Sequence, residues 1–471
     1  METMTQRRFS TSALILLMAA GLAAAGCSSG SNQNTTTTTT PVTETAPAFV
    51  VGTDAPMASV VSFAVQVQSV NAVNASGNSV PLISGTPTVD FARYNGLQAL
   101  VDLNDVPVGT YTSISITLGS AAIGYLNVPA SGPPTIQTEN AVYPSSVATY
   151  TYTATLASPL VVAQGEPVGL RVDLDLRKTI VVDGSGAITG GVTPTFDVKA
   201  VGIGDAGAYV DCFDAAVVSV NASGQSFVVQ GPHGEQFTIN VNGQTEWENG
   251  ESISELTTSS IVTVSGVLDK ADQTLDADDV GILSQDGFYA GGQITYDQPA
   301  SGTASSFDLY VRGLLPTTTG ITLGQIATVD LSGNEKFFIY WWHNPLTQFL
   351  FNSSQLLPGQ HVSVGGPATG AANAGAVTVK RVVLRHWGFN GTVVANSADT
   401  ANGTFQMKIN GFAGVLIPQT VTVYTAAKTD FRDGLTGVSD VTGNVRVVGL
   451  LLKDPTSGNT ILLAHYVDAL E

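Results

Sequence analysis

Apolar and polar residues alternate along most of the chain, and the alternation has the period of a β-strand. Phe63, Val65 and Val67 interleave with Ser62, Ala64, Gln66 and Gln68, so Val60 to Val70 predicts a strand. Asn74-Ala75-Ser76-Gly77 then supplies a turn. Ser113 to Leu118 alternates again, with Ile114, Ile116 and Leu118 on one face. From Gly169 to Ile180, Val172, Leu174 and Leu176 oppose Arg171, Asp173, Asp175 and Arg177. The charges on that second face are i, i+2 neighbours that offset one another, which predicts a solvated strand face rather than a catalytic carboxylate pair.

Beyond the glycine-rich gap Gly202-Ile203-Gly204-Asp205-Ala206-Gly207, the strand pattern repeats. Phe227-Val228-Val229, Phe237 to Val241, Thr245-Glu246-Trp247 and Ile261 to Gly266 form one unit. Phe405 to Ile409, Val421-Thr422-Val423, Thr429-Asp430-Phe431 and Val445 to Gly449 repeat its order, closing with Ile461 to Val467. The unit between them is longer and less regular. It keeps His361-Val362-Ser363-Val364-Gly365-Gly366 and a closing run from Val377 to Leu384. The chain therefore divides into a first folded unit at 48–203 and three repeats at 210–285, 286–386 and 387–471. Few apolar contacts are expected across the glycine-rich gap, so the first unit is expected to be separable from the repeats.

Two resemblances give these units a fold. Thr53-Asp54-Ala55-Pro56, Val106-Pro107-Val108-Gly109-Thr110-Tyr111, Val172-Asp173-Leu174-Asp175, Ile180-Val181-Val182 and Thr193-Pro194-Thr195-Phe196 follow one another in an order that resembles the bacterial domain of unknown function 4382. That resemblance implies a β-sandwich of envelope lipoproteins with no established activity. The repeats resemble tandem copies of the domain of unknown function 5666, small barrels similar to the oligonucleotide/oligosaccharide-binding (OB) fold. The first and third copies match well, and the second matches mainly at its end. The expected fold is all-β, an N-terminal β-sandwich followed by three small OB-like β-barrel repeats. The Pro-x-Gly-x-Tyr segment has a structural reading of its own: Pro and Gly turn the chain, and Tyr starts the next strand.

Composition narrows the function. Only 12% of the 471 residues are charged, 50 are glycine, and the net charge is −19. Scarce Lys, Glu and Arg suit helical bundles badly and suit short strands with tight turns well. Only 18 Lys and Arg are present, and their longest cluster is Lys380-Arg381 with Arg385 nearby, which argues against nucleic acid as a partner.

The N-terminus carries Arg7 and Arg8, then an apolar run from Ala13 to Ala25 that is short for a membrane-spanning helix. It ends in Ala24-Ala25-Gly26-Cys27, which resembles the lipobox of bacterial lipoproteins, although Ala24 stands where Leu is preferred. The resemblance implies cleavage before Cys27 and acylation of its thiol, with residues 1–27 as signal and lipobox. Residues 28–47, with an unbroken threonine run from Thr35 to Thr40, have almost nothing to bury and predict a disordered tether. Such a tether spans about 25 Å as a coil and at most about 70 Å extended. Acylation of Cys27 leaves Cys212 without a disulfide partner, and a buried, inert thiol is expected there.

Beyond the lipobox, where Gly26 to Gly30 happens to fit the spacing, the sequence contains no Gly-x-Ser-x-Gly elbow, and it has no His-Glu-x-x-His and no phosphate-binding glycine loop. His233, His343, His361, His386 and His465 lack metal-ligand spacing, though convergence in space stays open. Asp269, Asp272, Asp276, Asp278 and Asp279 are dense but lack the calcium-loop spacing, and they predict a solvated hairpin turn. No catalytic residue, metal site or cofactor is expected.

The most unusual segment is Phe337 to His343. As a strand it places Phe337, Ile339 and Trp341 on one face, with Phe338, Tyr340 and Trp342 on the other. A small barrel has one interior, so one aromatic face lies outside it. Either a neighbouring barrel covers that face, or Tyr340, Trp341 and Trp342 form a surface that binds a sugar or polymer. The sequence thus predicts a non-enzymatic lipoprotein of the bacterial cell envelope, anchored at an outer membrane or cell surface through Cys27, with a structural or ligand-binding role. A carbohydrate-binding or adhesion module is the alternative, and a hydrolase ranks third. The membrane is the expected partner, with polysaccharide or envelope proteins as further candidates.

Overall fold

The computed structural model describes residues 45–470 apart from 56, 58–59, 94–98, 130, 165, 167, 185, 203–208, 232–233, 235, 270–273, 299–302, 317–319, 341–348, 368–375, 410–415 and 418–419. The fold is almost entirely β.

The first domain uses β1 (Thr45–Ala55), β2 (Val60–Asn74), β3 (Ser79–Pro81), β4 (Thr88–Asp90), β5 (Ala99–Pro107), β6 (Gly109–Asn127), β7 (Thr135–Asn140), β8 (Tyr150–Val162), β9 (Val168–Asp175), β10 (Ile180–Val182), β11 (Ile188–Val192) and β12 (Phe196–Gly202). One sheet has the order β12-β9-β1-β5, and the other runs β3-β2-β6-β7, with β4 also on β2 and β8 also on β6. β10 and β11 form a separate hairpin. The inward rows of both sheets, including Phe63, Val65, Ile114, Ile116, Leu170 and Leu174, belong to one core. In the Pro-x-Gly-x-Tyr segment the Tyr111 hydroxyl donates to the Pro107 carbonyl at 2.9 Å, tying the new strand back under its turn.

Three expectations for this part of the chain are corrected. The first strand begins at Thr45, inside the stretch read as tether, because Thr45, Ala46 and Pro47 pair through backbone with Pro107, Val106 and Asp105. Backbone pairing needs no apolar side chain, so composition does not reveal it. The strand expected from Gly169 to Ile180 stops at Asp175, whose carboxylate accepts the amide N–H groups of Arg177 and Lys178 and caps a single helical turn, Leu176–Thr179. Asp173 does not lie on a freely solvated face: burial raises its pKa, and Arg446 of the last repeat is the first of the nearby cations that oppose the rise.

Each repeat is a small barrel. The first is built from β13 (Tyr209–Asn221), β14 (Ser226–Gln230), β15 (Gln236–Asn240), β16 (Glu246–Trp247), β17 (Ile261–Asp269) and β18 (Thr274–Ser284). Pairing runs β15-β14-β13-β17-β18, and a parallel β15–β18 contact closes the ring. The middle repeat uses β19 (Gly287–Gln298), β20 (Ser306–Leu315), β21 (Ile326–Asp330), β22 (Lys336–Ile339), β23 (His361–Pro367), β24 (Ala376–Thr378) and β25 (Arg381–Arg385). The third uses β26 (Trp387–Val393), β27 (Thr404–Ile409), β28 (Thr420–Tyr424), β29 (Asp430–Arg432), β30 (Asn444–Lys453) and β31 (Thr460–Leu470), and it closes through parallel β28–β31. The ring order 1-2-3-5-4, with its third and fifth strands parallel, is the OB-like arrangement. In the middle repeat the fifth strand is split in two. β24 pairs with β21 in parallel and β25 pairs with β23 antiparallel, with Val379 and Lys380 at the break. The irregular look of this repeat in the sequence has that cause.

A glycine midway along the fourth strand of the first and third barrels marks a β-bulge. A Cβ on Gly266 would meet the Asp276 carbonyl at 2.2 Å, and one on Gly449 would meet the Leu463 carbonyl at 2.1 Å. The register shifts at these points, between Ser265 and Gly266 and between Val448 and Gly449. Each bulge reverses which side chains of the partner strand face inward. In β18, Leu275 and Ala277 enter the core before the bulge, and Val280 and Ile282 enter it afterwards. Asp279, Gly281 and Leu283 then sit on the outer face, yet all three are buried. The acidic stretch is therefore only partly the solvated turn expected. Asp276 and Asp278 are exposed, whereas the bulge turns Asp279 into the contact with the second barrel.

The described domains pack into one unit spanning Thr43–Glu471. Leu450, Leu452, Ile461 and Leu463 of the third barrel lie in the same core as Phe288, Phe307 and Val362 of the second. Gln360 is fully buried between these barrels, with Nε2 donating to the Gln355 and Leu451 carbonyls, each at 3.1 Å. The first and second barrels share Ile261, Leu283, Tyr289 and Leu315. The third reaches the first where Val448 and Tyr466 meet Cys212. The sandwich joins through Val61 and Leu126, which cluster with Tyr310 of the second barrel. Arg312, also of the second barrel, donates to the Ala92 carbonyl at 2.8 Å while its guanidinium lies 4.6 Å from the Trp387 ring centre. The glycine-rich gap does fall between β12 and β13, but these contacts give the sandwich a buried neighbour that the gap does not announce.

Candidate functional site: the groove between the first two barrels

Strand β22 carries the aromatic run to its last described residues. Phe337 and Ile339 pack on the core of the second barrel. Phe338 and Tyr340 take the other face, toward the first barrel. Tyr340 is buried. Its hydroxyl lies 3.3 Å from Ser265 Oγ, and Gly281 is the residue that lets it approach, since a Cβ there would come within 2.8 Å of the ring. Tyr340 thus serves as a packing residue between barrels and is not placed as a surface binder. Trp341 and Trp342 lie outside the described residues.

Around Tyr340 the sequence's scattered polar residues converge. Arg385 Nη1 donates to both Asp214 oxygens at 2.8 and 3.0 Å and to Ser363 Oγ at 3.1 Å, and Nη2 donates to Thr263 Oγ1 at 2.8 Å. The Tyr289 hydroxyl also donates to Asp214. Cys212, whose amide donates to Ser265 Oγ at 3.0 Å, has a thiol that burial pushes up to about 12, in line with an inert cysteine. His361, His386 and His465 also meet. His361 Nδ1 donates to the His386 carbonyl at 3.1 Å, and the His386 and His465 rings stack at 4.7 Å. Burial holds His361 and His386 well below the usual histidine range and His465 at about 4, so all three are neutral packing residues at neutral pH. No group of His, Cys, Asp and Glu among the described residues could hold a metal ion. This convergence had no signal in the sequence, because its members come from six strands of three barrels and from the segments beside them.

Asp279 is the outlying acid of this junction. Its carboxyl is enclosed, and neither oxygen has a partner at good hydrogen-bond geometry among the described residues. Burial, with the charge of Glu246 adding to it, pushes its pKa up to about 7, against the opposing effect of Tyr340 and Glu248 nearby. The stability this carboxyl contributes is full below the unfolded value near 4 and is lost as pH rises through about 7. Asp279→Asn should therefore stabilise the protein at pH 8 by on the order of 2 kcal/mol, with the gain vanishing near pH 4. Denaturant melts of both proteins across that range check the prediction. A gain that does not depend on pH would contradict it.

Beside this junction, and open to solvent, lies a groove of about 620 Å³. Its floor is Phe338, with the Arg381 guanidinium 3.9 Å from the ring centre. Arg381 pairs with Glu251 of the first barrel, and Glu251 Oε2 accepts the Ile282 amide N–H at 3.0 Å. Burial raises the Glu251 pKa despite that pairing. Across the rim Lys380 Nζ bonds Asp286 at 2.9 Å. Lys336 and Glu255 line the groove with no ion pair among the described residues. Side-chain amides from Asn249, Gln285 and Asn334 complete the rim. Composition had singled out Lys380-Arg381 as the longest basic cluster, and the fold sets it against carboxylates of the neighbouring barrel.

Fold and groove together define a multi-domain, all-β protein with an open, charge-lined cleft at a barrel–barrel junction. Family models match within two of these units. The domain of unknown function DUF4382 matches residues 50–189, within the sandwich, and the domain of unknown function DUF5666 matches residues 215–281, within the first barrel. No curated protein matches the chain.

Proposed function

We propose that this chain is a non-catalytic lipoprotein of the bacterial cell envelope, tethered through Cys27, that presents its barrels for binding outside the cytoplasm. The observation that carries the binding role is the groove, a sizeable polar cleft on a body whose barrels are tied together by buried contacts. The anchor reading rests on the apolar run ending in Ala-Ala-Gly-Cys and on the polar stretch behind it. Two or more acyl chains hold a protein on a membrane stably, where one is marginal. The non-catalytic reading is supported by Asp279, Glu248 and His386 being packed inside barrel contacts, and by Glu251 and Asp286 of the groove being paired with Arg381 and Lys380.

Cys27→Ala should leave the protein unprocessed or release it into the soluble fraction. Fractionation with a size shift on gels reads the outcome. Membrane partition with normal processing would overturn the anchor. A second reading, a carbohydrate-binding or adhesion module, has the amide-rimmed groove in its favour.

A further inference from the structure

We propose that the groove between the first two barrels is a saccharide-binding site, which rests on the reading of the chain as a binding protein. The lining chemistry selects the ligand class. Sites for apolar small molecules are lined mainly by apolar and aromatic side chains. Among the described lining residues Phe338 carries the only apolar side chain, and Arg381 lies over its ring. An apolar ligand would find one phenyl group and would strip water from charges and amides without replacing their hydrogen bonds. Polyanions such as nucleic acid meet Glu251, Glu255 and Asp286 in the walls of a chain whose net charge is −19.

A polyhydroxylated ligand meets neither obstacle. Each hydroxyl both donates and accepts, and so does each side-chain amide at the rim. Asn249 and Asn334 stand on opposite barrels, so a ligand between them bonds to both walls. The Phe338 ring, with the Arg381 guanidinium 3.9 Å from its centre, is the aromatic surface that the described lining offers to a sugar ring. The cleft volume is within the range of sites that take small ligands. Lys336, exposed and without an ion pair among the described residues, is placed to meet a sugar carboxylate.

The test uses the intact mature protein on an array of neutral and uronate-bearing oligosaccharides, followed by calorimetric titration with those that bind. Asn334→Ala/Lys336→Ala alters two exposed residues and should leave the thermal midpoint unchanged. It should weaken saccharide binding tenfold or more, as should Phe338→Ala. Gln406→Ala, at an exposed position of the third barrel, should not. A loss in Lys336→Ala confined to uronate-bearing sugars assigns an acidic saccharide, and an equal loss for neutral sugars assigns a neutral one. Absence of any saccharide binding by the folded protein would overturn the proposal, as would unchanged affinity in the double variant. Either result leaves the Cys27 fractionation standing on its own, so failure of the ligand class and failure of the anchored-protein reading are told apart.

Discussion

Replacing Arg385 with Met should destabilise the barrels by about 3–5 kcal/mol, the usual cost of leaving one partner of a buried ion pair alone. Arg385 is 3% exposed at its side chain and binds Asp214 through both carboxylate oxygens. The same guanidinium holds Thr263 of the first barrel and Ser363 of the second. Met fills much of the volume but leaves the Asp214 charge with the Tyr289 hydroxyl as its one remaining side-chain partner among the described residues. Asp214→Asn in the same chain should recover part of the loss, because the orphaned charge then disappears. Equilibrium unfolding of the four proteins in a double-mutant cycle gives both numbers. A loss below about 1 kcal/mol, the range of exposed pairs, would mean that the junction is open to water.

Leu463→Ala should cost about 2–5 kcal/mol, as large-to-small changes in a packed core do. The location of the damage is the sharper expectation. Leu463 belongs to β31 of the third barrel, but it is fully buried in the core of the second. Its loss should lower hydrogen-exchange protection in β19, β20 and β23 as much as in β31. Damage confined to the third barrel would show that the two cores are separate.

Much of the architecture was legible in the sequence because it is local. The Val-rich runs followed by glycine in the fourth strands repeat three times, and the glycine is needed where Gly266 and Gly449 meet a carbonyl across the bulge. Thr245 and Thr429 also repeat for a reason: each hydroxyl donates to the fifth strand, to the Ala277 and Ala464 carbonyls, at 2.7 and 2.8 Å. What stayed hidden is non-local. Asp279 reads as part of an acidic turn until the bulge reverses the strand. Asp173 reads as a solvated charge until Arg446 is placed near it. Tyr340 reads as either covered by a neighbouring barrel or free to bind, and Gly281 makes the room that decides for cover. The groove was hidden for the same reason, since its two walls come from different repeats and only the Lys380-Arg381 cluster and Phe338 stood out along the chain.

Native-state hydrogen exchange on the intact protein tests the central claim most directly, namely that the barrels form one body with a fixed groove between them. The account predicts that the slowest amides of β17, β18, β23, β25, β30 and β31 open in one cooperative event of common free energy. Three separate opening free energies, one for each barrel, would contradict it.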